Sequence, residues 1–144
     1  MILFPGAKIN LFLRITKKRH DGFHNIDTLF YPVPFHDILE IIISGPGDFS
    51  FSSSGIPTDN DPENNLVVRA YYLFSRYRAI HGVSAHLHKQ IPVGGGLGGG
   101  SSDAASCLIG LNSLTDTAFT HAKLREMAIQ LGSDCPFFIK NKPL

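Results

Sequence analysis

Residues 92–102 read Pro92-Val93-Gly94-Gly95-Gly96-Leu97-Gly98-Gly99-Gly100-Ser101-Ser102, and six of the chain's 14 glycines fall in seven consecutive positions. Glycine gives up more backbone entropy on folding than any other residue, so a run this dense inside a folded pattern needs a reason. Directly after it, Asp103-Ala104-Ala105-Ser106-Cys107-Leu108-Ile109-Gly110-Leu111 reads as a helix start, with Ala104, Ala105, Leu108 and Leu111 recurring on one face. A glycine loop feeding a helix N-terminus aims free N–H groups and the positive end of the helix dipole at one point. That is an anion site suited to phosphate. A flexible linker is the plain alternative, but linkers rarely lie between a strand-like run and an immediate helix start.

The loop does not match the other common phosphate binders. A Walker A loop needs Gly-x-x-x-x-Gly-Lys-Ser/Thr; Gly95 and Gly100 have that spacing, but Ser101 stands in the lysine slot. Gly94-x-Gly96-x-x-Gly99 satisfies the dinucleotide fingerprint, yet its context fails. It follows several strands instead of opening the fold, its helix is followed by another helix, and Asp116, near the expected acidic position, lies in a turn.

Other residues could carry chemistry with weaker signals. Lys8 and Asn10 share one face of an alternating segment, about 7 Å apart along a strand; such residues usually face solvent. Asp134 sits before Pro136 in what reads as an ordinary turn. Ser101 and Ser102 read as N-caps of the next helix, and Asn64 or Asn65 as the N-cap of an earlier one. Lys89 ends the strand that enters the loop and could lie near whatever the loop binds, although a strand-end lysine is usually exposed. His86 and His88 share a strand face, but two ligands without a third do not make a metal site, and none is expected.

The elements that must position these groups follow from periodicity. Lys8–Ile15 alternates as a strand with Ile9, Leu11, Leu13 and Ile15 opposite Lys8 and Asn10. Extended runs follow the Asp21-Gly22-Phe23-His24 turn at Thr28–Val33, Asp37–Ser44 and Asp48–Ser53, then the polar Gly55–Pro62 loop. Asn65–Ile80 has helical spacing, Ser84–Lys89 is a strand, and helices are predicted over Asp103–Leu114 and about Thr120–Leu131, the latter stopping at Gly132. Cys135–Lys140 is expected to be a short strand after a polar turn, with Phe137, Phe138 and Ile139 leaving apolar surface exposed. Strands first, then helices around one strand, argue an α+β class.

Length and composition bound the rest. The 144 residues suit one domain, 1–144, and 43% hydrophobic with 17% charged residues is ordinary for a globular fold. A formal net charge of +1, with Lys17-Lys18-Arg19-His20 as the only basic cluster, does not suggest nucleic-acid binding. Cys107 and Cys135 have no paired spacing, so neither a disulfide framework nor a zinc site is indicated, and they fit a reducing cytoplasm. No membrane span, signal peptide or transit peptide is read; a plastid stroma is the alternative location. The chain stops soon after the last expected strand begins and reads as the first part of something longer.

The loop resembles that of the GHMP kinases, whose phosphate loop has the form Pro-x-Gly-Gly-Gly-Leu-Gly-Ser/Gly-Ser-Ser. Four further segments narrow the likeness: Gly6-Ala7-Lys8-Ile9-Asn10-Leu11-Phe12-Leu13, Asp21-Gly22-Phe23-His24, Asn65-Leu66-Val67-Val68-Arg69-Ala70 and Leu131-Gly132-Ser133-Asp134-Cys135-Pro136-Phe137-Phe138. They resemble the members that phosphorylate cytidylated methylerythritol on its 2-hydroxyl, in the non-mevalonate route to isoprenoids. The alternatives are another GHMP kinase, of the mevalonate or homoserine type, or a non-catalytic nucleotide-binding module. Gly6 replaces a proline context, Phe23 a common Tyr, and Asp103 a frequent Asn. Family members continue into a C-terminal domain, which the resemblance leads one to expect beyond the part read in these 144 residues.

The resemblance implies an α+β fold similar to the second domain of ribosomal protein S5, and ATP with Mg²⁺ as the phosphoryl source. It implies Asp134 as the base that takes the hydroxyl proton and Lys8 beside it. Pro92, Val93, Gly94, Gly95, Gly96, Leu97, Gly98, Gly99, Gly100, Ser101, Ser102 and Asn65 are implied to hold the nucleotide. Asn10 would orient the pair or the substrate, His24 would bond the cytosine, and Phe23 would pack on it. The small-molecule substrate is the implied partner, oligomeric state is unknown, and the fragment alone is expected to have little activity.

Overall fold

The computed structural model describes all residues except 19, 21, 23, 59, 60, 117, 143 and 144, and the backbone alone at His24, Ile26 and Pro62. Asp21 and Phe23 of the turn motif lie outside the described residues. In chain order come β1 (Ile2–Leu3), β2 (Gly6–Lys18), β3 (His24–His36), β4 (Ile38–Ile43) and β5 (Ser50–Gly55), then a 3₁₀ turn (Pro62–Asn64) and α1 (Leu66–Ser75). They are followed by β6 (Val83–Lys89), α2 (Gly99–Leu114), α3 (His121–Leu131) and α4 (Cys135–Phe138). The sheet order is β1-β4-β6-β5, with β5 parallel to β6 and the other pairs antiparallel. β2 and β3 form a separate antiparallel pair with register shifts along its length. The class is α+β, as the order of elements predicts.

Period-two alternation decides the two faces of the sheet. Val83, Ala85 and Leu87 of β6 and Leu39 and Ile41 of β4 point inward and are buried. Over them lie Val67, Ala70 and Phe74 of α1, Ala104, Ala105, Leu108 and Leu111 of α2, and Met127 of α3. Full burial of each large apolar side chain is worth about 1.5–3 kcal/mol, so this face holds the domain together. Where β5 meets β6, the outward face is polar and internally bonded. Ser50 Oγ donates to Ser84 Oγ at 3.0 Å, His86 Nδ1 and Nε2 meet Ser52 Oγ and Ser54 Oγ at 2.8 and 3.0 Å, and His88 Nδ1 meets Ser54 Oγ at 2.9 Å. The two histidines are thus held by serines of β5, and no group of three metal-ligating side chains exists among the described residues.

β2 and β3 run longer than expected, and three further differences bear on the helices. α1 stops at Ser75, where Ser75 Oγ donates to the Tyr71 carbonyl, and the Tyr71 hydroxyl donates to Ile80 O at 3.1 Å, turning the chain back toward β6. α2 begins at Gly99 and absorbs the glycines and serines before Asp103, so Asp103 lies in its second turn. Residues 135–138 are a one-turn helix, not a strand. Proline suits a first helical turn, and a helix sends both phenylalanines inward where a strand would expose one. Phe137 packs edge-on to Phe30 at 5.2 Å and Phe138 to Phe137 at 5.0 Å. Phe137, Phe138 and Ile139 are therefore buried, contrary to the exposed patch expected of them. The large exposed apolar side chains cluster on the β2–β3 pair instead, at Leu11, Phe12, Leu13, Ile15, Tyr31 and Phe35.

Candidate active site

The glycine loop closes on itself by conformation. Gly94, Gly96 and Gly98 are left-handed, with φ of +79°, +71° and +70°, while the residues between them are not. Alternating hands turn successive N–H groups into one concavity, an anion-binding nest. Gly98 is the N-cap of α2 and offers no side-chain cap, and the first intrahelical bond is from Ser102 N–H to Gly98 O at 2.9 Å. The N–H groups ahead of it have no helical carbonyl to meet. Ser101 and Ser102 are therefore inside the helix and do not cap it. Ser101 lines the pocket; Ser102 is buried away from its wall.

That pocket has a volume of about 430 Å³, and its wall includes residues 92–101, Asn65, Lys8, Lys89, Asp103 and Asp134. The size suits a small ligand. Asn65 is a pocket residue and also the N-cap of α1, its Oδ1 accepting from Val67 N–H at 2.9 Å. The loop is pinned to β2, where Lys8 N–H donates to Leu97 O at 2.8 Å.

Lys8 and Asp134, 126 positions apart in sequence, meet here. Lys8 Nζ lies 3.3 Å from Asp134 Oδ2, donates to Asn10 Oδ1 at 2.6 Å, and stands 4.6 Å from the Phe30 ring centroid. Lys8 is buried, whereas the Asp134 side chain keeps 32% of its surface in the open pocket. A buried ammonium over an aromatic face is held by the ring quadrupole as well as by its carboxylate. Asn10 Nδ2 donates to Thr28 Oγ1 at 2.8 Å, and that hydroxyl donates to Phe12 O at 2.6 Å, which fixes the amide toward the lysine. Asn10 therefore orients Lys8 but does not itself line the pocket. His24 opens β3 opposite Lys18, at the other end of the hairpin from Lys8, and its side chain is outside the description.

Lys89, expected at the surface, is buried between Asp37 and Asp103. The alternation of β6 contains the missed signal: Lys89 is in phase with Val83, Ala85 and Leu87, on the face opposite His86 and His88. Burial raises Asp103 to about 7 from its ordinary 3.8, against the attraction of Lys89 and with the charge of Asp37 adding to the rise. A folded acid that holds its proton more tightly than the unfolded one stabilises the fold fully below the unfolded value. That contribution is lost as pH rises through about 4 to 7. The stability gained by Asp103→Asn relative to wild type is thus expected to be larger at pH 8 than at pH 4. Urea midpoints at the two pH values check this; an equal difference at both excludes it.

The two cysteines are poor candidates for chemistry. Burial pushes the Cys107 thiol up to about 12, and burial likewise raises Cys135. Both are free cysteines, and a thiol that keeps its proton is a poor nucleophile. No helix among the described residues is long and apolar enough to cross a membrane.

Known proteins resemble this chain in sequence and in fold. The GHMP kinases N terminal domain model matches residues 65–142. The chain is 50% identical to the 4-diphosphocytidyl-2-C-methyl-D-erythritol kinase of Bacteroides fragilis over 145 residues, covering 99% of this chain and 53% of the relative. It is 45% identical to the kinase of the same name from Cytophaga hutchinsonii over 141 residues, covering 98% and 52%. The chain thus spans about half the length of the relatives it matches. A crystal structure of 4-(cytidine 5'-diphospho)-2C-methyl-D-erythritol kinase superposes with a TM-score of 0.83 at 34% identity, over 99% of this chain and 50% of that one. Homoserine kinase from Cytophaga hutchinsonii superposes with a TM-score of 0.68 at 18% identity, over 98% and 42%, and shares the fold alone. With the family's N-terminal domain model matched across its loop, its helices and Asp134, the chain belongs to the GHMP kinases.

Proposed function

We propose that this chain is the nucleotide-binding part of an ATP-dependent kinase that phosphorylates the 2-hydroxyl of 4-diphosphocytidyl-2-C-methyl-D-erythritol. The observation that carries the reading is the Lys8–Asp134 pair, 3.3 Å apart on the wall of the glycine-loop pocket. Phosphoryl transfer to an alcohol asks a protein for positioning, for charge stabilisation and for a group to take the hydroxyl proton. ATP supplies the phosphoryl group and brings Mg²⁺ with it. The glycine cradle, from which a Cβ is excluded at Gly98, fits a triphosphate, and Ser101 and Asp134 are the pocket oxygens that would face the metal. Asp134 accepts the proton of the substrate hydroxyl, and Lys8, held by Asn10 and Phe30, faces the charge that develops on the transferred group.

The cytidine end of the substrate falls to His24 and Phe23, and the adenine to Asn65. The cell location that fits a kinase of small metabolites is the cytoplasm. The test is phosphorylation by the full-length protein, with ATP and three candidate alcohols compared. Turnover on the cytidylated substrate, at least about 10²-fold above that on homoserine or mevalonate, is expected, since a site built for polar groups rejects what lacks them. A preference for homoserine or mevalonate moves the assignment within the family; ATP binding with no turnover on any of them makes the chain a binding module.

A further inference from the structure

The ladder between β4 and β6 ends at the pair Ile38–His88. Asp37, the residue before β4, is fully buried. Its N–H donates to Pro5 O at 2.9 Å, on the segment that leads into β2 and Lys8. Its carboxylate takes over where the ladder stops. Oδ1 accepts from the N–H groups of Gln90 at 2.6 Å and Ile91 at 2.8 Å, the two residues between β6 and the glycine loop. Oδ2 accepts from the buried Lys89 Nζ, which also donates to Asp103 Oδ2 of α2 at 2.8 Å. Gly99, the first residue of α2, closes on the same cluster, for a Cβ there would come within 2.8 Å of Lys89 Nζ and 2.9 Å of Ile91 Cγ2. One carboxylate thus holds the residues that enter the loop and, through Lys89, the helix that leaves it. Asp37 itself is not on the pocket wall.

We infer that Asp37 is a positioning residue for the phosphates of the nucleotide: it fixes the entry of the glycine loop and, through Lys89, its exit, so that the nest is formed before a ligand arrives. The inference rests on the pocket being a nucleotide triphosphate site. Gly94, Gly96 and Gly98 must all hold the left-handed conformation at once for the N–H groups between them to converge. Glycine is also the residue freest to leave any one conformation. A loop this free gives up affinity to the entropy of ordering unless its surroundings order it first. The bond from Lys8 N–H to Leu97 O pins the loop along its length, and Asp37 pins its ends.

Only a carboxylate can make all of these contacts. The groups that meet Asp37 are donors, two peptide N–H groups on one oxygen and an ammonium on the other. An amide of the same shape has a single acceptor oxygen, so its NH₂ must face either the loop entry or Lys89. One of the two holds is then lost. A buried ion pair is a weak source of stability, because desolvation offsets its attraction. What this one supplies is a fixed place for Gln90, Ile91 and Lys89, from which the loop departs and to which α2 returns.

The test compares wild type with Asp37→Asn by calorimetry, using ATP, tripolyphosphate and adenosine as probes, with magnesium present. The Kd for ATP and for tripolyphosphate is expected to rise about five- to twenty-fold in the variant, and that for adenosine to change by less than about two-fold. A role confined to stability would leave all three affinities in place, and that result overturns the inference. An equal loss for all three overturns it as well, since the damage is then not to the phosphate loop. Should Asp37→Asn fail to fold, or adenosine bind too weakly to compare, hydrogen exchange of the Gln90 and Ile91 amides in wild type replaces the comparison. Exchange as slow as in the β6 ladder before ATP is added supports a pre-formed entry, and exchange at the rate of an open loop overturns it. Absence of ATP binding by wild type is a separate result, which removes the nucleotide reading of the pocket and this inference with it.

Discussion

Asp134→Asn is expected to lose turnover by roughly 10²–10⁴-fold in the full-length protein while keeping its affinity for ATP, the range that loss of a general base produces. The side chain sits at the open side of the pocket and takes no part in the glycine cradle, so its carboxylate can be neutralised without disturbing the loop. It makes no capping bond to α4, and Lys8 keeps its bond to Asn10 and its place over Phe30, so the fold is not expected to suffer. Single-turnover kinetics beside calorimetric ATP binding separate the two effects. Turnover within a few-fold of wild type would assign proton removal to another group and leave Asp134 as the residue that ends the turn before α4.

Gly98→Val is expected to abolish ATP binding, by roughly 10²-fold or more in Kd, from two costs that act together. At φ +70° a β-branched residue is a backbone outlier. The added Cβ would also lie 2.9 Å from Phe138 Cζ and 3.2 Å from Lys8 Cε. Phe138 is packed by Phe137 and cannot retreat freely, so the loop must move instead, and with it the N–H groups at the start of α2. Circular dichroism should still report a folded domain, because the sheet and its helical cover lie outside the strained segment. Unchanged ATP affinity in such a folded variant would remove the phosphate role from the loop.

Local patterns carried most of the fold, and their failures have physical causes. The α+β class, the strand from Lys8, the helix after the loop and the stop at Gly132 are all written in periodicity and caps. The missed strand-to-helix change at Cys135–Phe138 comes from a run of apolar residues too short to show a period, where packing against Phe30 and Gly98 decides. The glycine loop was legible because its backbone needs are composition. The Lys8–Asp134 meeting was not, since no local pattern joins a strand to a turn so far along the chain. Family likeness brought the two together first, and the fold gives the distance. The buried cluster was legible in part. Asp37 shares the inward parity of Leu39 and Ile41, Lys89 that of Leu87, and Asp103 lies one helical turn before Cys107, so all three stand on core stripes. The habit of placing charge outside hid them.

The order of the four-stranded sheet has a consequence for how copies of this chain meet. An open sheet edge is a template for a foreign strand. One edge here is β1, two residues long; the other is β5, a serine-rich strand whose hydroxyls are already committed to Ser84, His86 and His88. Both edges are blunt, short on one side and polar on the other. The hairpin lacks such protection, with Leu11, Phe12, Leu13 and Ile15 open along one long strand. A charged residue in place of Leu13 is therefore expected to raise solubility more than the same change on β5.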